Sequence, residues 1–274
     1  MLLLLELLAS LRFSNLTLDA VMCLFVRFYG WLRAFTKKVL KGIIMWNGKK
    51  KAITFSFDDG VWQDEPLVAI LNRYGLKGTF NLNSGSFGSL DTYEAFGKKI
   101  CRDRLKETEV KAVYAGHEAA VHTLTHPNLT QQTDEEVLRQ VDEDRKNLER
   151  IFGYPVVGMA YPCGGVNNDE RVAALIGANT PIRYARTITM THTFDLQKDN
   201  LLQFNATAHF LDKDLERIAD EFLAMDPDKE QLFYIWGHSY ELDAHNAWDR
   251  FEKFCQKIAN RADIFYGTNR EVLL

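Results

Sequence analysis

Ile53-Thr54-Phe55-Ser56-Phe57-Asp58-Asp59-Gly60 alternates apolar and polar residues, then stops at two adjacent carboxylates and a glycine. The alternation reads as a β-strand with Ile53, Phe55 and Phe57 on one face and Thr54, Ser56 and Asp58 on the other. A central strand of an open parallel sheet, covered by helices on both sides, is apolar on both faces. A polar face points instead to a barrel lumen or a site. The carboxylate pair sharpens this, because two enclosed like charges raise each other's pKa and call for a nearby cation or proton. An ordinary Asp-Asp-Gly turn is the plainer alternative.

Outward from this strand, β-rich runs alternate with helical patterns. Further strands are expected at 78–83, 118–122, 156–161, 182–189, 202–209, 232–238 and 264–266, and helices at 61–74, 134–152, 170–178, 215–225 and 247–262. Thr133 followed by Glu136 reads as a capping box opening the second helix, and Gly153 and Pro155 close it. Strand and helix in repetition imply parallel strands with crossover helices. Seven or eight such strands fit a doubly wound sheet or a barrel. Polar residues gathered where strands end favour an α/β fold of the (β/α) barrel type, whose mouth lies at those ends.

With 274 residues, 46% of them hydrophobic, one catalytic domain is expected. A formal charge of −4, with basic residues interleaved among acids, argues against a nucleic-acid partner. Cys23, Cys101, Cys163 and Cys255 are far apart, form no CxxC pair, and fit a reducing compartment. Residues 1–44 begin "MLLLLELLAS", but Glu6, Arg12, Asp19, Arg27 and Arg33 interrupt the apolar run, so neither a membrane span nor a clear export signal is read there. They read as an N-terminal extension, either an amphipathic surface segment or a stretch outside the natural protein. The domain is expected over 45–274, in the cytoplasm and without membrane contact.

The cation has a candidate source in His122-Thr123-Leu124-Thr125-His126. On an extended strand the two histidines would stand roughly 13 Å apart, too far for one ion, so they act together only on a turn, which Pro127 favours. Two imidazoles and a carboxylate form a known catalytic metal set, while two surface loop histidines are the alternative. His238, in "WGHS", also follows an apolar strand, as a site residue or a core histidine.

In order, "SFDDG", "HTLTH", "AYPCG" and "WGHS" make the chain from Ile53 to Tyr266 resemble the polysaccharide deacetylases of the NodB-homology type, carbohydrate esterase family 4. The resemblance implies a distorted (β/α) barrel of about seven strands. It also implies a metal-dependent hydrolase that removes N-acetyl, or O-acetyl, groups from a sugar or oligosaccharide. It makes Asp58 the base, Asp59, His122 and His126 the ligands of one divalent ion, His238 the general acid, and a backbone N–H near Tyr161 and Pro162 the oxyanion donor. Zinc is the expected ion, with cobalt, manganese and nickel as alternatives.

The sequence departs from the family at its third motif, where an arginine shortly before the Pro-aromatic pair orients the base. Here the run is Gly158-Met159-Ala160-Tyr161-Pro162-Cys163. Arg183 or Arg186 on the next strand could supply the cation, and Arg186 is the choice. The fourth motif is not recognisable, although Asp195 and His209 lie in its region, His209 either lining the cleft or packed in the core. Rival readings are a metal-dependent amidase acting on another amide, a Cys163 nucleophile with His238 or His209 as base, and a non-catalytic carbohydrate-binding relative. The chain stops at "GTNREVLL", where no closing helix is expected.

Overall fold

Strand β1 (Lys51–Asp58) lies between two parallel neighbours, with Phe55 opposite Ile235 on one side and Gly78 on the other. The computed structural model describes residues 45–95 and 97–274, so the reading of 1–44 falls outside the described residues. The chain divides into two compact units, 1–48 and 49–274, and the second holds every element below.

In chain order the elements after β1 are α1 (Asp64–Arg73), β2 (Gly78–Leu82), β3 (Thr92–Ala95), β4 (Lys98–Cys101), α2 (Glu107–Val113), β5 (Glu118–Val121) and α3 (Asp134–Phe152). Then come β6 (Gly158–Ala160), α4 (Glu170–Asn179), β7 (Tyr184–Met190), β8 (Phe204–Ala206), β9 (Ala208–His209) and α5 (Leu215–Ala224). The last are β10 (Gln231–Gly237), α6 (Tyr240–Ala244), α7 (Trp248–Ile258), β11 (Ile264–Tyr266) and α8 (Asn269–Leu273).

The main sheet runs β8-β7-β6-β5-β2-β1-β10-β9. β8 and β9 are two halves of one run broken at Thr207, the first pairing with β7 and the second with β10. That pairing closes the sheet into a distorted barrel of seven staves, as expected, with β11 added beside the start of β1.

The two faces of β1 part as their chemistry dictates. Phe55 and Phe57 point outward and meet Phe251 of α7 edge-on at 6.1 and 5.9 Å. Thr54, Ser56 and Asp58 point into the lumen, where Asp58 meets Arg186 of β7, four strands away in the sheet. The apolar core is therefore the layer between staves and helices. Its helices bury Leu67 and Leu71 of α1, Val137 and Val141 of α3, and Phe251 and Phe254 of α7.

Helix α3 has its expected bounds. Thr133 accepts the Glu136 N–H (3.3 Å), and Gly153 ends the helix in the left-handed region at φ 82°. The reciprocal half of the box is missing because the Glu136 carboxylate bonds Arg139 and Gln140 instead. Two expectations fail. The 78–118 segment holds a hairpin, β3–β4, and helix α2, whose short and largely exposed pattern carries little periodicity. A closing helix, α8, does follow β11; Thr268 and Glu271 cap it reciprocally, a Thr-x-x-Glu signal already present in "TNRE".

Candidate active site and metal centre

The two carboxylates are separated by backbone conformation. Asp58 ends β1 in the lumen, and its Oδ2 pairs with the Arg186 guanidinium while its Oδ1 accepts Asn81 Nδ2 at 2.8 Å. Burial pushes its pKa up, but Arg186, then His122 and His238, outweigh that and hold it below the usual carboxylate range. Asp59 then turns at φ 86° and Gly60 at φ 67°; a Cβ on Gly60 would come within 2.9 Å of the Leu82 side chain. The turn sends the Asp59 carboxylate to other partners. Its Oδ1 stands 3.8 Å from His122 Nε2, 3.5 Å from His126 Nε2 and 3.1 Å from Arg104 Nη1. Burial raises Asp59 too, but Arg104, then His238 and the other two histidines, leave it well below its ordinary value. Each carboxylate thus has its own guanidinium, so the pair is tolerated.

His122 and His126 come together because the chain leaves the strand after Val121. Thr123 and His126 take positive φ (69° and 64°), Leu124 N–H donates to Gln140 O, and His126 N–H donates to Thr123 Oγ1. The rings end 4.9 Å apart. His122 Nδ1 lies 2.9 Å from Ala160 O, which can only accept, so Nδ1 carries the proton and the Nε2 lone pair faces Asp59. Burial, partly offset by Asp58, pushes the His122 pKa down to about 4, and burial lowers His126 as well, so neutral imidazoles are presented.

These residues fit a small divalent ion. The three ligand atoms lie within 4.8 Å of one another, and the buried Asp59 Oδ1 makes no hydrogen bond, the Arg104 contact being poorly aligned for one. A tetrahedral ion with bonds of about 2.0–2.1 Å holds its ligands roughly 3.3 Å apart, close to the spacings found.

His238 follows Gly237 at the end of β10, with Nε2 3.9 Å from Asp58 Oδ2. Glu241 of α6 holds it: Oε2 accepts the His238 backbone N–H at 3.0 Å and lies 3.3 Å from Nδ1. Burial lowers the His238 pKa, but Glu241, then Asp59 and Asp58, raise it to about 9. His209 is the third member. Its Nδ1 accepts the Leu211 N–H, so its proton sits on Nε2, 3.1 Å from Glu241. His209 therefore lines the site, whereas Asp195 pairs with Lys229 on the surface.

Arg186 reaches Asp58 from the stave beside Met159. Its backbone partner is Ala160, its guanidinium stacks over Trp236 at 4.4 Å, and Arg183 is exposed. The placement of the oxyanion donor at Tyr161 and Pro162 is corrected. Tyr161 N–H donates to Arg186 O (3.0 Å), its hydroxyl donates to Leu202 O (2.7 Å), and proline has no N–H. The next backbone donors, those of Cys163 and Gly164, border the cleft of about 260 Å³ that also holds Asp58, His126 and His238. Cys163 Sγ lies by His126 (3.8 Å to Nδ1), not by His238 or His209, and burial followed by Asp59 raises its pKa, which disfavours a thiolate nucleophile.

Sequence reading missed Arg104, Asn81 and Glu241. Only Glu241 left a signal, three residues after His238 at a helix start. Asn81 and Arg104 act through register and loop packing, which motif spacing does not encode.

A family profile described as polysaccharide deacetylase matches residues 46–180. The peptidoglycan-N-acetylmuramic acid deacetylase PdaC of Bacillus subtilis (strain 168) is 27% identical over 124 residues, 44% of this chain. The chain spans only 23% of that relative's length. Among solved structures, a deacetylase with substrate superposes with a TM-score of 0.50 at 15% identity, covering 81% of this chain and 90% of that one. The Streptococcus pyogenes deacetylase PplD in complex with acetate gives 0.44 at 20% identity, covering 55% and 61%. The motif order, the profile match and the closed seven-stave barrel agree, and residues 46–180 belong to the polysaccharide deacetylase family, whose members are metal-dependent.

Proposed function

We propose that this chain hydrolyses the acetyl group of an acetylated sugar or oligosaccharide, N-acetyl first and O-acetyl second, with a divalent ion held by Asp59, His122 and His126. The observation that carries the reading is that three ligand atoms with an unbonded carboxylate oxygen, a separate ionised carboxylate and a charged histidine converge on one cleft. Zinc suits this N₂O donor set best, with cobalt, manganese and nickel as alternatives.

When bound, such an ion polarises an acyl carbonyl and acidifies water. Asp58 stands outside the ligand set and takes the water proton. Arg186 and Asn81 keep it ionised and aimed, and its lowered pKa makes it a weak base that works only on acidified water. With the Tyr161 N–H already bonded to Arg186 O, the Cys163 N–H at the cleft wall is assigned to the developing oxyanion. His238, charged at neutral pH and held by Glu241, gives a proton to the departing nitrogen. The products are acetate and a free amine. Trp236 and Tyr240 line the cleft beside His238, where their buried rings pack under Arg186 and Arg102 and shape its wall. The relative's acetylated amino sugar supports the same substrate class.

The test is acetate release from N-acetylglucosamine oligomers, measured alongside metal content. Release should stop on chelation and return with zinc. Release that is unaffected by a chelator which strips the metal would sink the reading.

A further inference from the structure

Asp59 Oδ1 faces two kinds of partner at once. On one side stand the two neutral imidazoles that complete the metal set. On the other, Arg104 places Nη1 3.1 Å away and donates to the Asp59 carbonyl as well, with its side chain only 8% exposed. The position of Arg104 is built in. Residues 103–105 run antiparallel to 60–62, with Leu105 N–H donating to Gly60 O at 2.9 Å and Trp62 N–H to Asp103 O at 3.0 Å, and Arg104 N–H donates to Ser89 O at 2.9 Å. The segment leaving the β3–β4 hairpin is therefore fastened to the turn that carries the metal ligand.

We infer that Arg104 is a built-in competitor of the metal at Asp59, a positioning residue that pins this ligand when the ion is absent and weakens the ion's hold when it is present. The inference rests on the metal-dependent reading above. A guanidinium beside a carboxylate oxygen neutralises the charge a divalent ion would use, and it repels the ion across a few ångströms of buried space where screening is weak. The same side chain fixes the left-handed turn of Asp59 through the carbonyl. Pre-organisation is gained at the expense of affinity. Movement of the segment carrying Arg104 is thereby coupled to the strength of metal binding.

The experiment titrates the metal-free full chain with zinc against a chromophoric chelator. Arg104→Gln keeps a donor for the Asp59 carbonyl and removes the charge; its zinc Kd should fall about tenfold. Arg104→Met, which keeps the packing of the stem, is a second neutral variant expected to shift in the same direction. Arg104→Lys keeps the charge and should stay within about threefold of the parent. Equal or weaker zinc binding in the folded neutral variants overturns the inference, as does a lysine variant that tracks them. A parent that binds no divalent ion fails differently, because it removes the metal-dependent reading itself.

Discussion

The barrel lumen has two polar ends. At the floor, Thr54 Oγ1 donates to Asn269 Oδ1 (2.9 Å), Asn269 Nδ2 donates to the Tyr234 hydroxyl (2.6 Å), and Thr79 Oγ1 and the Arg270 N–H both donate to Glu118 Oε2 (2.8 and 2.9 Å). These are mostly hydroxyls and amides that use one another up, and burial raises the one carboxyl among them. At the mouth, two strand positions further along β1 from Ser56, the groups are charged: Asp58, Asp59, Arg104, Arg186, His238 and Glu241. Asp59 Oδ1 and His238 Nδ1 are buried there without a hydrogen bond. Buried polar groups are normally paired. A lumen whose floor groups mostly complete their bonds, the Tyr184 hydroxyl excepted, and whose charged mouth leaves them short at Asp59 and His238 separates what holds the barrel from what is poised for a ligand.

The sharpest way to break this comparison is at the mouth. Asp59→Asn and His122→Ala should lose both metal and acetate release, whereas Asp58→Asn should keep the metal and lower kcat by about 10²–10⁴-fold, the range for a general base. Metal content and kcat measured on the same samples decide this. Near-parental turnover in Asp58→Asn would remove its role as base. Next in size is Arg186→Met, which leaves the buried Asp58 charge without its guanidinium and should cost about 3–5 kcal/mol in denaturant unfolding. A cost near zero would mean that Asp58 takes up a proton or finds another partner.

The mouth was more legible in the sequence than the floor. The alternation of β1, with Asp58 on its polar face, pointed to a barrel, and the four motifs located Asp58, Asp59, His122, His126 and His238, because motif residues sit at strand ends where chain order is enough to find them. Arg186 was reachable once Met159 was seen to be the wrong residue for its place. The oxyanion donor was placed wrongly, since only the Tyr161 N–H···O=C Arg186 bond shows that this N–H is already used. Arg104 and Asn81 depend on which segment packs against which, and the floor depends on a five-residue helix whose Asn269 has no sequence neighbour among its partners.

Asn269→Ala breaks the floor alone. It strands Thr54 and Tyr234 in the lumen, and the loss should be about 1–3 kcal/mol of stability. Zinc affinity and kcat of the folded variant should remain within about twofold, because the groups that face the ligand are untouched. A fall in kcat matching the loss of stability would show that the two ends are coupled, through Ser56 Oγ and Asn81 Nδ2 (2.9 Å) to Asp58.

The smallest effect expected is at Glu241, which accepts the His238 backbone N–H and stands 3.3 Å from its Nδ1. His238 must be protonated to act as the acid, and Glu241 is the main reason its pKa stands near 9 rather than below its ordinary value. Turnover should therefore hold through neutral pH and fall as pH rises through about 9. Glu241→Gln can still accept the His238 backbone N–H but carries no charge, so the basic limb should move to lower pH, with a loss of about tenfold or less at pH 7, in the range of an orienting partner. Stability follows the same sign. A histidine whose folded pKa is raised contributes stability that is fully present below about 6.5 and lost as pH rises through the folded value, so parent and variant should differ most in acid and converge in base. Coincident pH profiles would mean that Glu241 only packs against His238, and the charge at the mouth would then have to be credited to Asp58 and Asp59 alone.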